Sequence, residues 1–301
     1  MPAIDTTLVR RLVRAQFPRW ASLPVVPLPS GGTVNAVFRL GDDLTVRLPL
    51  TASGAGDVAK EAQVLASLGC LPVAVPAVAG LGEPAQGYPW PWSVHRWLDG
   101  EPAVEGRPFA PEALAEFVLA VRSAKADAPP AYRGGPLTLL DRATRDAVEE
   151  LRRTDEPFDA SAALDVWTEA LDAPTGPEGW VHGDLMPSNL LVHNGRLTAV
   201  LDWATAGIGD PACDLIPAWN LLTAATRPAF RDAVGADDAA WARSRGRALS
   251  MAVIQLPYYR GTNPVISANA RYVLTQLGCR SARRASTGPR GSSGRAPNTS
   301  R

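Results

Sequence analysis

The stretch Trp180-Val181-His182-Gly183-Asp184-Leu185-Met186-Pro187-Ser188-Asn189-Leu190-Leu191-Val192 runs on through His193-Asn194-Gly195-Arg196-Leu197-Thr198-Ala199-Val200-Leu201-Asp202-Trp203. Two apolar runs flank Asn194-Gly195, a pair that accepts the positive φ angles of a tight hairpin turn. A two-residue turn pairs His193 with Arg196 and predicts Asn189 opposite Val200. Asp202 lies two residues beyond Val200 and therefore shares a face with it and with Asn189. A carboxylate and an amide oxygen at one end of a hairpin suit a hard cation such as Mg²⁺. Asp184, five residues before Asn189 on a short irregular loop, brings a second carboxylate to the same place. Three oxygen-bearing side chains around one ion point to phosphate chemistry. A hairpin with polar residues at its open end explains any one of them. It explains the whole string poorly, because turn, spacing and residue types must all coincide.

Upstream of this hairpin the pattern changes along the chain. Residues 5–17 predict a helix, with Asp5 as cap and Pro18 as stop. Residues 25–29, 33–40 and 43–49 predict strands, with Gly41-Asp42 turning between the last two. Leu44, Val46 and Leu48 alternate on one face of the third strand, so Arg47 points the other way. Residues 57–69 predict a helix, and 76–80 and 91–98 two further strands. Beyond Gly100 the periodicity is helical at 111–126, 138–152, 161–172, 212–225, 228–234, 238–255 and 264–277, interrupted by a β-rich piece at 180–203. A small β-rich lobe followed by a larger helical lobe is expected, hinged near residues 95–100. The fold class is α+β. The expected boundaries are a nucleotide-binding lobe at 1–97, a catalytic and acceptor-binding lobe at 98–278, and a tail at 279–301.

Composition excludes several classes. The chain has 301 residues, enough for two lobes and a large core without staples. Thirty basic residues balance thirty acidic ones, which gives no electrostatic argument for nucleic acid or an acidic membrane. No run reaches the roughly 18 apolar residues of a membrane span. Arg10, Arg11 and Arg14 interrupt any apolar core of a signal peptide. Cys70, Cys213 and Cys279 are too few and too scattered for a disulfide framework or metal cluster. The expectation is a soluble cytoplasmic protein, monomer or dimer, without nucleic-acid or membrane partners. Of the basic residues only Lys60 and Lys125 are lysine. From Arg280 to Arg301 the chain holds six arginines and no acid among Ser, Gly, Pro and Thr. Such a segment cannot bury enough apolar surface to offset its ordering entropy, so a disordered basic tail is expected.

The segment His182-Gly183-Asp184-Leu185, with Asn189 four positions after the Leu and Asp202-Trp203 after the hairpin, resembles the catalytic region of the aminoglycoside phosphotransferase family. Gly209-Asp210-Pro211-Ala212-Cys213-Asp214-Leu215 is similar to the same family's next motif. Asp210 is a plausible N-cap there, with Pro211 at the first helical position. The resemblance implies a two-lobed, protein-kinase-like fold and a small-molecule phosphotransferase. Its phosphoryl donor would be ATP or GTP. Asp184 would be the catalytic residue, Asn189 and Asp202 the Mg²⁺ ligands, and His182 and the buried Asp214 structural supports. Gly183 stands where protein kinases carry an arginine that reads an activation-loop phosphate, which argues against that form of control.

The same resemblance assigns the nucleotide lobe. Ser30-Gly31-Gly32-Thr33 looks like a short phosphate-covering loop, whose glycines let backbone N–H groups approach phosphate oxygens. Glu61 falls inside the apolar stripe of Val58, Val64, Leu65 and Leu68, and a carboxylate there needs a partner. A kinase-like arrangement offers a basic residue on the third strand that also holds phosphates. Arg47 occupies that place, where lysine is usual; the alternative is an inward structural ion pair with impaired nucleotide binding. Backbone groups near Arg96 and Leu98 would face the base. Trp90 and Trp92 are expected in the core.

On the acceptor side, residues 141–178 hold eleven acidic and four basic residues. They would attract a polycationic antibiotic or simply form a solvated helix face. Six arginines at 227–260 weaken the first reading. Tyr258, Tyr259, Thr262 and Asn263 are candidates to line a pocket. The function implied is transfer of the γ-phosphoryl group to an antibiotic hydroxyl, conferring resistance or self-resistance. A metabolic kinase with a choline- or sugar-like acceptor and a non-catalytic nucleotide-binding protein are the alternatives.

Overall fold

The computed structural model describes residues 3–29, 34–125 and 127–280. The Ser30–Thr33 loop and the chain from Ser281 onward lie outside the described residues. Helix α1 (Thr6–Gln16) begins where the Asp5 carboxylate accepts the Leu8 N–H at 2.8 Å, and it ends before Pro18. Leu8, Val9, Leu12 and Val13 make its buried face. It covers a five-stranded antiparallel sheet of β1 (Val25–Pro27), β2 (Asn35–Leu40), β3 (Leu44–Pro49), β4 (Val78–Gly82) and β5 (Trp92–Arg96), in the order β1-β2-β3-β5-β4. Phe38, Leu40, Leu44, Val46, Leu48, Trp92 and Val94 face one core with Tyr88. Trp92 is fully buried and Trp90 packs at the edge of the same cluster.

The period-2 alternation puts Arg47 on the opposite face, paired across the sheet with Val37 and Ser93. Helix α2 (Ala52–Ser67) lies on that face and buries Val58, Glu61 and Val64. It starts five residues earlier than its sequence periodicity suggests. Thr51 caps it, accepting the Gly54 N–H at 3.2 Å. Ser53, Gly54 and Gly56 lower intrinsic helix propensity over its first turns, and the cap with tertiary packing overrides it.

After β5 the chain crosses at residues 97–100 into the larger lobe, where β6 (Glu101–Pro102) joins the central hairpin. Helices α3 (Pro111–Arg122), α4 (Asp141–Arg152) and α5 (Ala160–Asp172) precede β7 (Gly179–Val181) and the hairpin β8 (Leu190–His193) and β9 (Arg196–Val200). β10 (Gly207–Gly209) pairs with β7. The expected helix at 212–225 is instead a 3-10 turn at Pro211–Leu215 followed by the short α6 (Pro217–Asn220). Helices α7 (Arg227–Val234), α8 (Asp238–Tyr259) and α9 (Pro264–Gln276) complete the lobe. Phe117, Trp167, Trp203 and Phe230 lie in its core. Cys279, assigned to the tail from sequence, is fully buried, and its carbonyl accepts the Asp159 N–H at 2.9 Å. The packed chain therefore runs one residue past that boundary. Among the described residues no helix is long and apolar enough to cross a membrane.

Candidate active site

Asn194 and Gly195 adopt φ of 51° and 74°, as the tight turn requires, and His193 pairs with Arg196. The expected pairing of Asn189 with Val200 is not observed. A bulge between Leu191 and Val192 shifts the register, so that Val200 faces Leu190. Thr198 marks it: its hydroxyl donates to the Leu191 carbonyl at 3.1 Å. Asn189 sits in a 3-10 turn (Pro187–Asn189) just before β8, with its carbonyl accepting the Leu201 N–H at 2.8 Å. Asp202 follows in a left-handed conformation at φ 63° and ψ 73°. Two local distortions, not strand parity, aim these side chains.

The loop that carries Asp184 is fixed from below. Both oxygens of the buried Asp214 accept backbone N–H groups, from His182 at 2.7 Å and Gly183 at 2.8 Å. Gly183 has φ +78°, and a Cβ there would meet the Thr205 carbonyl at 3.3 Å, so the turn needs glycine. His182 Nδ1 accepts the Asp184 N–H at 3.2 Å, which leaves Nε2–H to donate to the Leu201 carbonyl at 3.0 Å. This assigns the neutral Nε2–H tautomer. The imidazole therefore ties the Asp184 loop to the residue before Asp202. Asn189 Nδ2 donates to the Asp184 carbonyl at 2.9 Å and to its Oδ2 at 3.2 Å.

Above this loop, Arg47 Nη1 contacts both oxygens of Glu61 at 2.8 and 2.9 Å, and Nη2 reaches Asp202 Oδ1 at 3.4 Å. Glu61 Oε1 also accepts the Trp203 N–H at 3.0 Å. One carboxylate on α2 thus joins the two lobes. Burial opposes every charge here. Burial lowers the pKa of the largely buried Arg47, but the Glu61 and Asp202 carboxylates outweigh this, raise it and keep the group cationic. Glu61 is buried too, and Arg47 holds its carboxyl below the ordinary range. Asp202 behaves differently: burial raises its pKa and the longer Arg47 contact does not offset this. About a third of its side chain remains open, and it lines the cavity between the lobes.

That cavity has a volume of about 320 Å³ and is lined by Arg47, Lys60, Glu61, Arg133, Asp184 and Asp202, among others. Asn189 reaches this group through Asp184. Among the described residues no three His, Cys, Asp or Glu side chains are grouped to hold a metal by themselves. One under-compensated carboxylate and one amide oxygen fit an ion that takes its remaining ligands from phosphates and water, as Mg²⁺ does. At the hinge, the Arg96 N–H donates to the Ala77 carbonyl at 2.8 Å and the Trp97 N–H to the Asp43 carbonyl at 2.8 Å. The Arg96 N–H is therefore engaged within the small lobe. Leu98 lies next along the crossing. Trp97 stacks under Arg39, with the guanidinium carbon 3.5 Å from the ring centroid.

Two groups went unanticipated. Arg133 pairs through Nη1 with Asp184 Oδ1. Asp210 does cap the turn at Pro211, accepting the Ala212 N–H at 3.0 Å. It also binds Arg243 through Nε at 3.0 Å and Nη2 at 3.1 Å, and Arg247 Nη2 at 3.0 Å. Arg243 and Arg247, one turn apart on α8, were the available signal. The acidic residues of 141–178 are substantially paired. Arg142, Arg145 and Arg152 hold Asp146, Asp141 and Glu149, while Arg245, Arg260 and Arg271 hold Glu169, Asp155 and Glu156. Tyr258, Tyr259, Thr262 and Asn263 do not line the cavity; Asn263 caps α9, accepting the Ile266 N–H at 3.1 Å.

A small antiparallel sheet hinged to a helical lobe, with this cavity between them, is the architecture of a kinase-like phosphotransferase. Residues 25–249 match the model of the phosphotransferase enzyme family, and the chain belongs to that family. No curated protein matches it. Among solved structures it is similar to the GDP complex of wild-type aminoglycoside 2'-phosphotransferase-IIIa, with a TM-score of 0.70 and 21% identity over 91% of this chain and 99% of that one. It is also similar to macrolide 2'-phosphotransferase type I, with a TM-score of 0.58 and 20% identity over 94% and 98%. A macrolide 2'-phosphotransferase from Brachybacterium faecium matches with a TM-score of 0.57 and 21% identity over 93% and 100%.

Proposed function

We propose that the chain moves the γ-phosphoryl group of ATP or GTP to a hydroxyl of an antibiotic, as a resistance or self-resistance enzyme acting in the cytoplasm. The observation that carries this reading is that Asp184 and Asp202 line one inter-lobe cavity with the Arg47–Glu61 pair, with Asn189 bonded to Asp184. Solved relatives are described as complexes with GDP and kanamycin and as macrolide phosphotransferases, which supports both halves of it.

The chemistry follows from the side chains. Asn189 and Asp202 would hold Mg²⁺, which when bound neutralises charge on the phosphates of the donor. Arg47 carries its second guanidinium arm toward the same space, and its planar fork can bridge carboxylate and phosphate. Asp184 orients the acceptor hydroxyl. The hydroxyl oxygen bonds to the γ-phosphorus, the bond to the β-bridging oxygen breaks with its electron pair leaving on the nucleoside diphosphate, and the hydroxyl proton passes to Asp184. A carboxylate is a weak base toward an alcohol, which suits a loose transition state that gains most from positioning.

The test is incubation with Mg²⁺, ATP plus GTP, and a panel of aminoglycoside, macrolide, peptide and nucleoside antibiotics, read by mass spectrometry for one added phosphoryl group. The expected result is a singly phosphorylated antibiotic, with Asp184→Asn folded, still binding Mg-nucleotide and slower by about 10²- to 10⁴-fold. Wild-type transfer by Asp184→Asn overturns the role of Asp184. Nucleotide turnover that modifies only sugar- or choline-like compounds overturns the antibiotic reading.

A further inference from the structure

The segment Ala131–Gly135 is a strap across the acceptor side of the cavity, and it is fixed along its length. The Ala131 N–H donates to the Ile208 carbonyl at 2.8 Å and the Tyr132 N–H to the Thr205 carbonyl at 3.0 Å. The Asp210 N–H donates to the Gly134 carbonyl at 2.9 Å. The buried Arg247 donates from Nη1 to the Arg133 carbonyl at 2.7 Å and from Nη2 to the Gly135 carbonyl at 2.8 Å. Cys213 Sγ–H donates to the same Arg133 carbonyl at 3.0 Å. Gly134 and Gly209 are in backbone contact, so close that a Cβ on Gly209 would lie 2.5 Å from the Gly134 Cα. Behind the strap, Asp210 locks both α8 arginines.

Two side chains of this fixed strap, Tyr132 and Arg133, line the cavity. Arg133 is a third exposed and reaches Asp184 with one of its donors. A guanidinium has five N–H donors in a planar fork, so Arg133 carries more donors to the cavity than the one that Asp184 takes. Away from the strap, Asp141, Glu149, Asp155, Glu156 and Glu169 are paired with arginines other than Arg133.

Building on the phosphotransferase reading, we propose that Arg133 selects the acceptor: it favours a hydroxyl flanked by an anionic or neutral oxygen-bearing group and disfavours one flanked by an ammonium. The acceptor class is a neutral or acidic hydroxylated compound rather than a polycation. An ammonium beside the reacting hydroxyl meets the guanidinium across a partly desolvated cleft, where like charges repel far more than in water. A carboxylate or carbonyl oxygen there takes up donors that are already positioned, because the strap is ordered before the acceptor arrives.

The test crosses acceptor charge with residue charge. The probes are kanamycin, its fully N-acetylated form and its fully N-succinylated form, which share hydroxyls but carry ammonium, neutral and carboxylate groups. Each is assayed for kcat and KM with Mg-ATP and Mg-GTP on wild type, Arg133→Gln and Arg133→Glu. Wild type is expected to use the acetylated or succinylated form at least roughly tenfold better than kanamycin, with the gap carried by KM. Arg133→Gln should narrow that ratio and Arg133→Glu invert it, with melting temperatures close to wild type because backbone bonds hold the strap. A wild type that fails to discriminate among the three, by using all or none, overturns the proposal, as does a ratio that the two substitutions leave unchanged. Absence of Mg-dependent nucleotide turnover in wild type would strike the phosphotransferase reading instead, so the two failures are distinguishable.

Discussion

Two arginine–carboxylate clusters flank the cavity, and their stoichiometries are opposite. On the nucleotide side one arginine, Arg47, serves two carboxylates, Glu61 and Asp202. On the acceptor side one carboxylate, Asp210, serves two arginines, Arg243 and Arg247. The surplus differs accordingly. Where carboxylates are in excess, Asp202 is left under-compensated, with its pKa raised by burial. Where guanidinium donors are in excess, they go to backbone carbonyls of Arg133, Gly135 and Pro174. Burial of the partly covered Asp210 works against its charge, but the two arginines and the Ala212 N–H hold its carboxyl below the ordinary range. The first cluster is incomplete in a way that invites a cation. The second holds its carboxylate from two sides, with Arg247 Nε left unpartnered, and acts as a clamp.

The comparison breaks most visibly at Asp202. Asp202→Asn should lower phosphoryl transfer by about 10³-fold or more, since it removes charge stabilisation worth several kcal/mol at the transferred group. Its melting temperature should stay level or rise, because a poorly compensated carboxylate is lost. A comparable fall in stability would show that Asp202 is as saturated as Asp210. The opposite pattern is expected of Asp210→Ala. It leaves two buried guanidinium groups without their carboxylate and should cost about 3–5 kcal/mol in chemical denaturation.

A smaller effect separates the clusters by pH. His95 on β5 is buried; burial drives its pKa down to about 4, with Glu61 opposing and Arg47 assisting. Between pH 4 and 6.5 the unfolded chain binds more protons at this residue than the folded one, so stability rises with pH across that window. The integrated effect is about 3 kcal/mol. In urea titrations His95→Gln should flatten the rise between pH 4 and 6.5. An unchanged slope would assign the acid sensitivity to the carboxylates.

Legibility in the sequence followed the distance between partners. The turn at Asn194-Gly195 and the cap at Asp5 depend on neighbours a few residues away, and the pattern exposed them; the His182–Asp184 loop was legible from its motif, although Asp214 holds it from 31 and 32 residues away. Glu61 was legible across 14 residues because a carboxylate interrupted an apolar stripe, and Arg47 alternated away from its core-facing neighbours. The bulge at Leu191/Val192 carried no such mark, since Thr198 is an ordinary strand residue. The start of α2 was hidden by its glycines. Arg133 lies 51 residues from Asp184, and Asp210 lies 33 and 37 residues from its arginines. An arginine in a loop or on a long helix looks solvated until tertiary structure brings up its partner. The tail from Ser281 onward and the Ser30–Thr33 loop, outside the described residues, stay as expectations.

Arg47 sharpens the comparison on the smallest scale. Lysine at this position would place one compact ammonium at Glu61, with no second arm for Asp202. Arg47→Lys should therefore keep the buried pair and lose the 3.4 Å contact. Asp202 keeps a third of its side chain open to the cleft, so that contact is worth at most about 1 kcal/mol. Stability should fall by no more than this. The same contact must loosen when a cation reaches Asp202, so its removal should lower the half-saturating Mg²⁺ concentration by up to roughly fivefold. Titrating nucleotide turnover with Mg²⁺ in both proteins measures it. A higher Mg²⁺ requirement in Arg47→Lys would mean that the fork of Arg47 helps to assemble the cation site rather than compete for it, and the nucleotide-side cluster would then be as preorganised as the clamp opposite.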